Sequence, residues 1–211
     1  PTRRSSDLLR AAEPVRRMPD GSYFLTRYDD LATVYRDAQT FSSDKKVEFG
    51  PKYGAGSALF EHHTTSLVFN DPPLHTRVRR LLMGALNQRA IARMEPDMVA
   101  LVERLLAQMA EQPAPCLIEH FAAQIPVEVI GNLLDVPHAD RGPLRGWSLD
   151  ILSALEPAPT DGMLARANAA VTDFCGYLHG LIAERRRHRG DPESDVLTRL
   201  IDGDVDGTLS E

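Results

Sequence analysis

Cysteine is scarce: Cys116 and Cys175 stand far apart in a chain of 211 residues. That spacing offers neither a disulfide framework nor a metal-ligand cluster, and it suits a reducing cytoplasm. Long apolar runs are missing too. None approaches the ~20 residues of a membrane-spanning helix, and the N-terminus has no signal-peptide apolar segment. Positive charge is in deficit, with 24 Lys and Arg against 30 Asp and Glu and a net charge of −6. This argues against a general nucleic-acid binder. There is no internal repeat and no low-complexity tract. An initiator Met is absent as well: the chain begins at Pro1 and ends Leu209, Ser210, Glu211, which reads as the start of another helix capped by Ser210. The expectation is one incomplete domain over residues 1–211.

What is present is 43% hydrophobic and 26% charged, the balance of a globular chain. The patterning predicts a mainly α architecture with a small β element. Residues 1–13 are polar and basic and read as loose. Val15 to Met18 and Tyr23 to Thr26 flank Pro19, Asp20 and Gly21, a hairpin signal. Tyr28 to Ala38 reads as a short helix with Leu31, Val34 and Tyr35 on one face. Residues 45–69 show no period and hold three glycines and the adjacent His62 and His63, so they read as a long loop. Pro96 opens a helix carrying Met98, Leu101, Val102, Leu105, Leu106 and Met109. Cys116 to Ile118 reads as a short strand. A helix from Phe121 to Leu134, kinked or restarted at Pro126, precedes one over Asp140–Leu155. Asp161 to His188 is the longest helical run, and Ser194 to Ile201 the last.

The stretch from Asn70 to Pro96 asks for a chemical explanation. Asp71 is placed to cap a helix, with Pro72 and Pro73 at its start. Val78, Leu81, Leu82, Ala85 and Leu86 form its apolar stripe. At about 100° per residue, His75 and Arg79 lie about 40° apart at the edge of that stripe. Arg77 and Arg80 point the other way. An inward Arg needs an anion, because an unpaired buried charge is too costly to keep.

Taken in order, the hairpin, the irregular stretch, D-P-P-x-H-T-R-x-R-R and P-V-x-V-I-x-x-L-L-x-V-P resemble the N-terminal half of soluble bacterial cytochrome P-450 enzymes. The resemblance runs from about Val15 to Glu211. It implies the N-terminal portion of that fold, cut before the oxygen-activating helix. It implies haem b, with His75 and Arg79 holding a propionate. It implies a monooxygenase that inserts one oxygen atom of O₂ into a small apolar substrate, fed with electrons from NAD(P)H through a ferredoxin-type partner. Leu59, Leu67, Val68, Phe69 and Leu152 would line the substrate pocket, under a lid of helices around Trp147–Leu155 and Leu164–Val171. Arg77 and Arg80 would face the redox partner. The protein would be cytoplasmic and monomeric, without membrane or nucleic acid. Leu74, the run Leu86-Asn87-Gln88 and Asp135 depart from the family pattern, Asp135 standing where Gly is usual. The iron-ligand Cys loop, the Glu-x-x-Arg pair and the oxygen-activating Thr are not among these residues. No catalytic residue and no iron ligand is therefore assigned here, and the 211 residues alone are expected to be inactive.

Other readings compete with this one. Arg77, Arg79, Arg80, Arg89 and Arg93 could serve a helical binding protein for nucleic acid or an acidic partner, against which stand the net charge and the split of Arg79 from its neighbours. Asp202, Asp204, Asp206 and Gly207 match the opening of a calcium loop, but a polar turn explains them better. His62 and His63 read as exposed loop polarity. Arg185 to Arg189 read as a dipole-compensating helix end, and Cys175 as a small core residue.

Overall fold

Short local signals set the first third of the chain, in a computed structural model that describes residues 3–86, 88–192 and 195–203. The turn at Pro19 to Gly21, with Gly21 at φ 86°, joins β1 (Val15–Arg17) to β2 (Tyr23–Leu25). They pair antiparallel, Val15 opposite Leu25. Ahead of them, residues expected to be loose form helix α1 (Arg3–Ala12). The Arg10 guanidinium holds it to the end of the hairpin, donating to Thr26 O at 2.9 Å, and also donates within the helix to Asp7 at 2.7 Å. Helix α2 (Tyr28–Arg36) is as expected in position, but Tyr35, placed on its inner face by the pattern, is 85% exposed.

Residues 45–69 are a correction. They form helix α3 (Lys46–Tyr53), helix α4 (Ala58–Thr65) and a single 3-10 turn at Leu67–Phe69. Gly54 and Gly56, at φ 82° and 81°, break the run into pieces too short for a period to emerge. The Ser57 hydroxyl then caps α4, accepting from Phe60 N at 3.1 Å.

Helix α5 (Leu74–Ala85) follows, then α6 (Gln88–Arg93) and α7 (Glu95–Ala110). Asp71 does not cap α5 with its side chain. Its carboxylate accepts instead from Ser42 Oγ at 2.5 Å and Ser43 N at 2.8 Å. These bonds, Ser42 foremost, hold its pKa below the usual carboxylate range. The expected strand at Cys116–Ile118 is also absent. The chain there enters one π-helical turn, Ile118–Ala122, closed by Ala123 N on Ile118 O at 2.8 Å. Cys116 N donates to the His120 imidazole at 2.9 Å, so a local side-chain bond outcompetes strand propensity.

Helices α8 (Gln124–Leu133), α9 (Gly142–Ser153), α10 (Asp161–Arg187) and α11 (Val196–Gly203) complete the described chain. Asp135 occupies φ 51°, a conformation costly for most side chains and open to Gly, Asn and Asp. It also accepts from Arg185 at 2.8 Å, a bond glycine could not make. The core is the cluster Phe49, Tyr53, Leu59, Ile151, Ala154, Ala167, Ala170 and Val171. It joins α3 and α4 to α9 and α10, across roughly a hundred residues of sequence.

Candidate functional site

Helix α5 presents the residue types that its sequence pattern singled out. His75 is half-buried and one turn from Arg79, but Arg79 is exposed rather than turned inward as expected, so water can solvate its charge. Among the described residues no carboxylate pairs with Arg79, and His75 lies near enough to Asp71 to help, as the least of several causes, to lower that carboxyl's pKa. An imidazole N–H and a guanidinium fork at this spacing can converge on one carboxylate or phosphate. Arg77 and Arg80 are exposed.

The 67–69 turn packs against the start of α5. Val68 is 70% exposed, while Leu67 and Phe69 are half-buried. Phe69 meets Phe49 edge-on at 5.1 Å between ring centres. Buried Asn70 fixes this turn, its amide donating to Thr64 O at 2.9 Å and Ser66 O at 2.7 Å. Leu152 on α9 is exposed. Leu59 is fully buried in the core. It therefore offers no free surface of its own.

Other side chains hold this arrangement and were not picked out by sequence. Tyr53 OH donates to Ala154 O at 2.9 Å, Lys52 Nζ donates to Glu156 O at 2.9 Å, and Leu59 N donates to Asn168 Oδ1 at 3.0 Å. Burial, with Glu48 adding to it, pushes the Tyr53 phenol up to about 12. The signal for them is long-range, since a lone Tyr or Asn on an amphipathic helix carries no pattern.

The two histidines correct the exposed-loop expectation. His63 is only 3% exposed. Burial, then His62 and Lys52, push it down to about 4. His62 is half-buried and lowered by burial as well. The basic end of α10 is corrected in part. Arg185 lies 2.9 Å from Asp195, a charge contact without hydrogen-bond alignment, and it ties α10 to residues 135 and 195. Arg187 and His188 pair with Glu184, and Arg189 with Asp202. Asp204, Asp206 and Gly207, the remainder of the calcium-loop match, lie outside the described residues. Cys175 is half-buried against the core, its thiol pushed up by burial. Among the described residues no group of three or more His, Cys, Asp or Glu could hold a metal ion. No described helix is long and apolar enough to cross a membrane.

No family model matches the chain. Individual proteins do. Cytochrome P450 130 of Mycobacterium tuberculosis is 30% identical over 98% of this chain and 51% of its own length. Vitamin D(3) 25-hydroxylase of Pseudonocardia autotrophica is 32% identical over 92% and 45%. Among solved structures, CalO2 superposes with a TM-score of 0.87 at 26% identity, covering 98% of this chain and 51% of that one. P450BioI in complex with an acyl carrier protein superposes at 0.84 with 25% identity, covering 94% and 51%. The helical fold with one small hairpin, and these likenesses, define a cytochrome P450 architecture. The chain belongs to the cytochrome P450 family and carries an N-terminal portion of its fold. It spans about half the length of the curated relatives it matches.

Proposed function

We propose that this chain is the N-terminal portion of a bacterial haem-thiolate monooxygenase acting on a small apolar substrate. The observation that carries it is the pairing of half-buried His75 with Arg79 on α5. Arg79 is without a carboxylate partner among the described residues, in a chain related throughout to cytochrome P450s. The donor set suits a haem propionate: two cationic or N–H donors one turn apart at a helix edge. His75 and Arg79 would hold that propionate. Haem b, when bound, supplies the oxygen chemistry. The residues in hand supply its anchoring and the approach to it. Leu67, Val68, Phe69 and Leu152 face the substrate, with Leu59 packed behind them. Helices α9 and α10 form the lid, and closure over the substrate excludes water.

Arg77 and Arg80, on the opposite side of α5, receive an acidic electron-transfer protein of the ferredoxin type, which passes on electrons from NAD(P)H. Opposite charges at such a face speed encounter more than they add affinity. The enzyme works as a cytoplasmic monomer. Its iron ligand lies outside these residues, so the 211 residues alone show no thiolate-type Soret band after reduction under carbon monoxide.

The test uses the full-length protein. With two charge-assisted hydrogen bonds at ~1.5 kcal/mol each, His75→Ala combined with Arg79→Ala weakens haem retention about a hundredfold. It also shifts the haem potential. Unchanged haem transfer to apomyoglobin and an unchanged potential would remove the propionate assignment. Arg77→Glu with Arg80→Glu leaves haem retention alone and slows reduction by the partner, more so at low salt.

A further inference from the structure

The core couples two regions that the sequence presented as separate, a loop and a lid. Phe49, Tyr53 and Leu59 of α3 and α4 pack with Ile151, Ala154, Ala167, Ala170 and Val171 of α9 and α10. The Tyr53, Lys52 and Leu59 hydrogen bonds to Ala154, Glu156 and Asn168 cross the same junction. His63 sits beside it. Its ring lies 5.6 Å from Phe49, 5.3 Å from Tyr53, 5.6 Å from Phe69 and 5.3 Å from His62. Its buried Nε2 has no hydrogen-bond partner among the described residues. A neutral imidazole can leave one ring nitrogen bare at modest cost. An imidazolium has two N–H donors and a charge, and burying it unpaired is far more costly.

We propose that His63 is a proton-sensitive latch: α3 and α4 stay docked on α9 and α10 while His63 is neutral, and its protonation loosens that docking. The surroundings favour this sign. From α4 comes His62, and from α3 come Lys52 and the Tyr53 phenol, which stays protonated. None of these supplies a compensating negative charge. Glu48 acts on Tyr53 from the same helix. Helices α9 and α10 contribute Ile151, Ala154, Ala167, Ala170 and Val171, with the Cys175 thiol at the edge. Asp150 and Arg166 are paired to each other at 3.4 Å and exposed or half-exposed. The neighbouring rings meet His63 at 49° to 67°, and they are too few and too tilted to replace two hydrogen-bond acceptors.

His63 titrates near 4 when docked and near ~6.5 when released into water. The released state therefore binds more protons, and docking weakens as pH falls from ~6.5 toward 4. Between pH 7.5 and 5.0 the opening equilibrium rises about 30-fold. That the latch governs substrate entry rests on the proposed monooxygenase reading. The latch itself rests only on contacts within these helices.

The experiment is hydrogen exchange on the full-length protein, read by mass spectrometry in peptides covering residues 58–65 and 150–156 and corrected for intrinsic rates. Protection in both peptides is expected to fall about 30-fold from pH 7.5 to 5.0. His63→Phe, of similar size and unable to titrate, should flatten that dependence, while His62→Gln should retain it. A flat profile in the wild type, or an undiminished slope in His63→Phe, overturns the proposal. If His63→Phe does not fold, the wild-type ring is titrated by NMR. A His63 resonance still neutral at pH 5.0 supports the latch, and one that titrates near ~6.5 with the peptides still protected overturns it. The latch slope does not depend on haem, so loss of the propionate assignment would leave it intact.

Discussion

Two halves of this molecule are held together by different means. The junction of α3, α4, α9 and α10 is cemented by apolar contact, with Leu59, Ala154 and Ala167 at 0% exposure. The side built from α7, the Ile118–Ala122 turn, α8, the start of α9 and the ends of α10 and α11 is stapled by charge. Glu128 lies 2.7 Å from Arg141, 3.4 Å from His138 and 3.9 Å from Arg104. Arg185 reaches Asp135 and Asp195, and Arg145 chelates Glu119 at 2.7 and 3.0 Å. On that side Val99, Leu106 and Ile130 remain 45–51% exposed. A core resists salt; of these ion pairs the more exposed Arg145–Glu119 is screened by it, while the buried Arg141–Glu128 and Arg185–Asp195 are screened much less. The junction of α3, α4, α9 and α10 thus draws less on charge than the stapled side does.

The largest test of that contrast is Leu59→Ala against Leu106→Ala. Leu59 touches α10 from inside a closed cluster, so its truncation should cost ~2–5 kcal/mol. Leu106 is 45% exposed, so its truncation should cost under ~1 kcal/mol. Urea unfolding followed by Trp147 fluorescence compares them, since Trp147 is the only Trp in the chain and packs 6.0 Å from Phe174 and Tyr177. Equal costs would mean that the two regions are not held differently.

How much was legible follows from the same contrast. Helices α5, α7 and α10 announce themselves because each runs long enough for three-and-four spacing to repeat. The one-turn spacing of His75 and Arg79 was legible for the same reason, but the exposure of Arg79 was not, since the spacing places it only at the edge of the apolar stripe. Helices α3 and α4 were not, because Gly54 and Gly56 cut them to eight residues each. Nor was the burial of His63, whose module is closed by helices roughly a hundred positions away. Asp71 carried a helix-cap signature, yet Ser42 and Ser43 offered its carboxylate better donors. Capping is a local preference that a tertiary contact can override.

Gly131→Ala probes the stapled side. A Cβ there would lie 2.4 Å from Arg141 Nε. Arg141 cannot simply swing away, because it is 7% exposed, holds Val136 O at 3.0 and 2.8 Å and pairs with Glu128 at 2.7 Å. The expected cost is ~1–3 kcal/mol. It should persist in high salt, because a pair this buried is screened little. A cost that vanished in high salt would show the pair to be screened by solvent and weaken the claim that a buried charge pair staples this half.

The smallest expected effect comes from Asp71→Asn, at the seam between the α5 approach and the 42–43 turn. Asp71 has a depressed pKa, chiefly through the Ser42 hydroxyl and then Ser43 N. A carboxylate with a depressed folded pKa stabilises the fold above its unfolded value, near ~3.9. That contribution is lost as pH falls through the lower folded value. Asparagine keeps the shape and removes the charge. It should therefore lower stability slightly at neutral pH and flatten the acid limb of the stability profile below pH ~4. It should leave the His63-dependent change between pH 7.5 and 5.0 untouched. An Asp71→Asn protein with the wild-type acid limb would show that the Ser42 contact carries no charge-dependent strength. The α5 approach would then rest on backbone bonds, such as His75 N to Asp71 O at 3.1 Å.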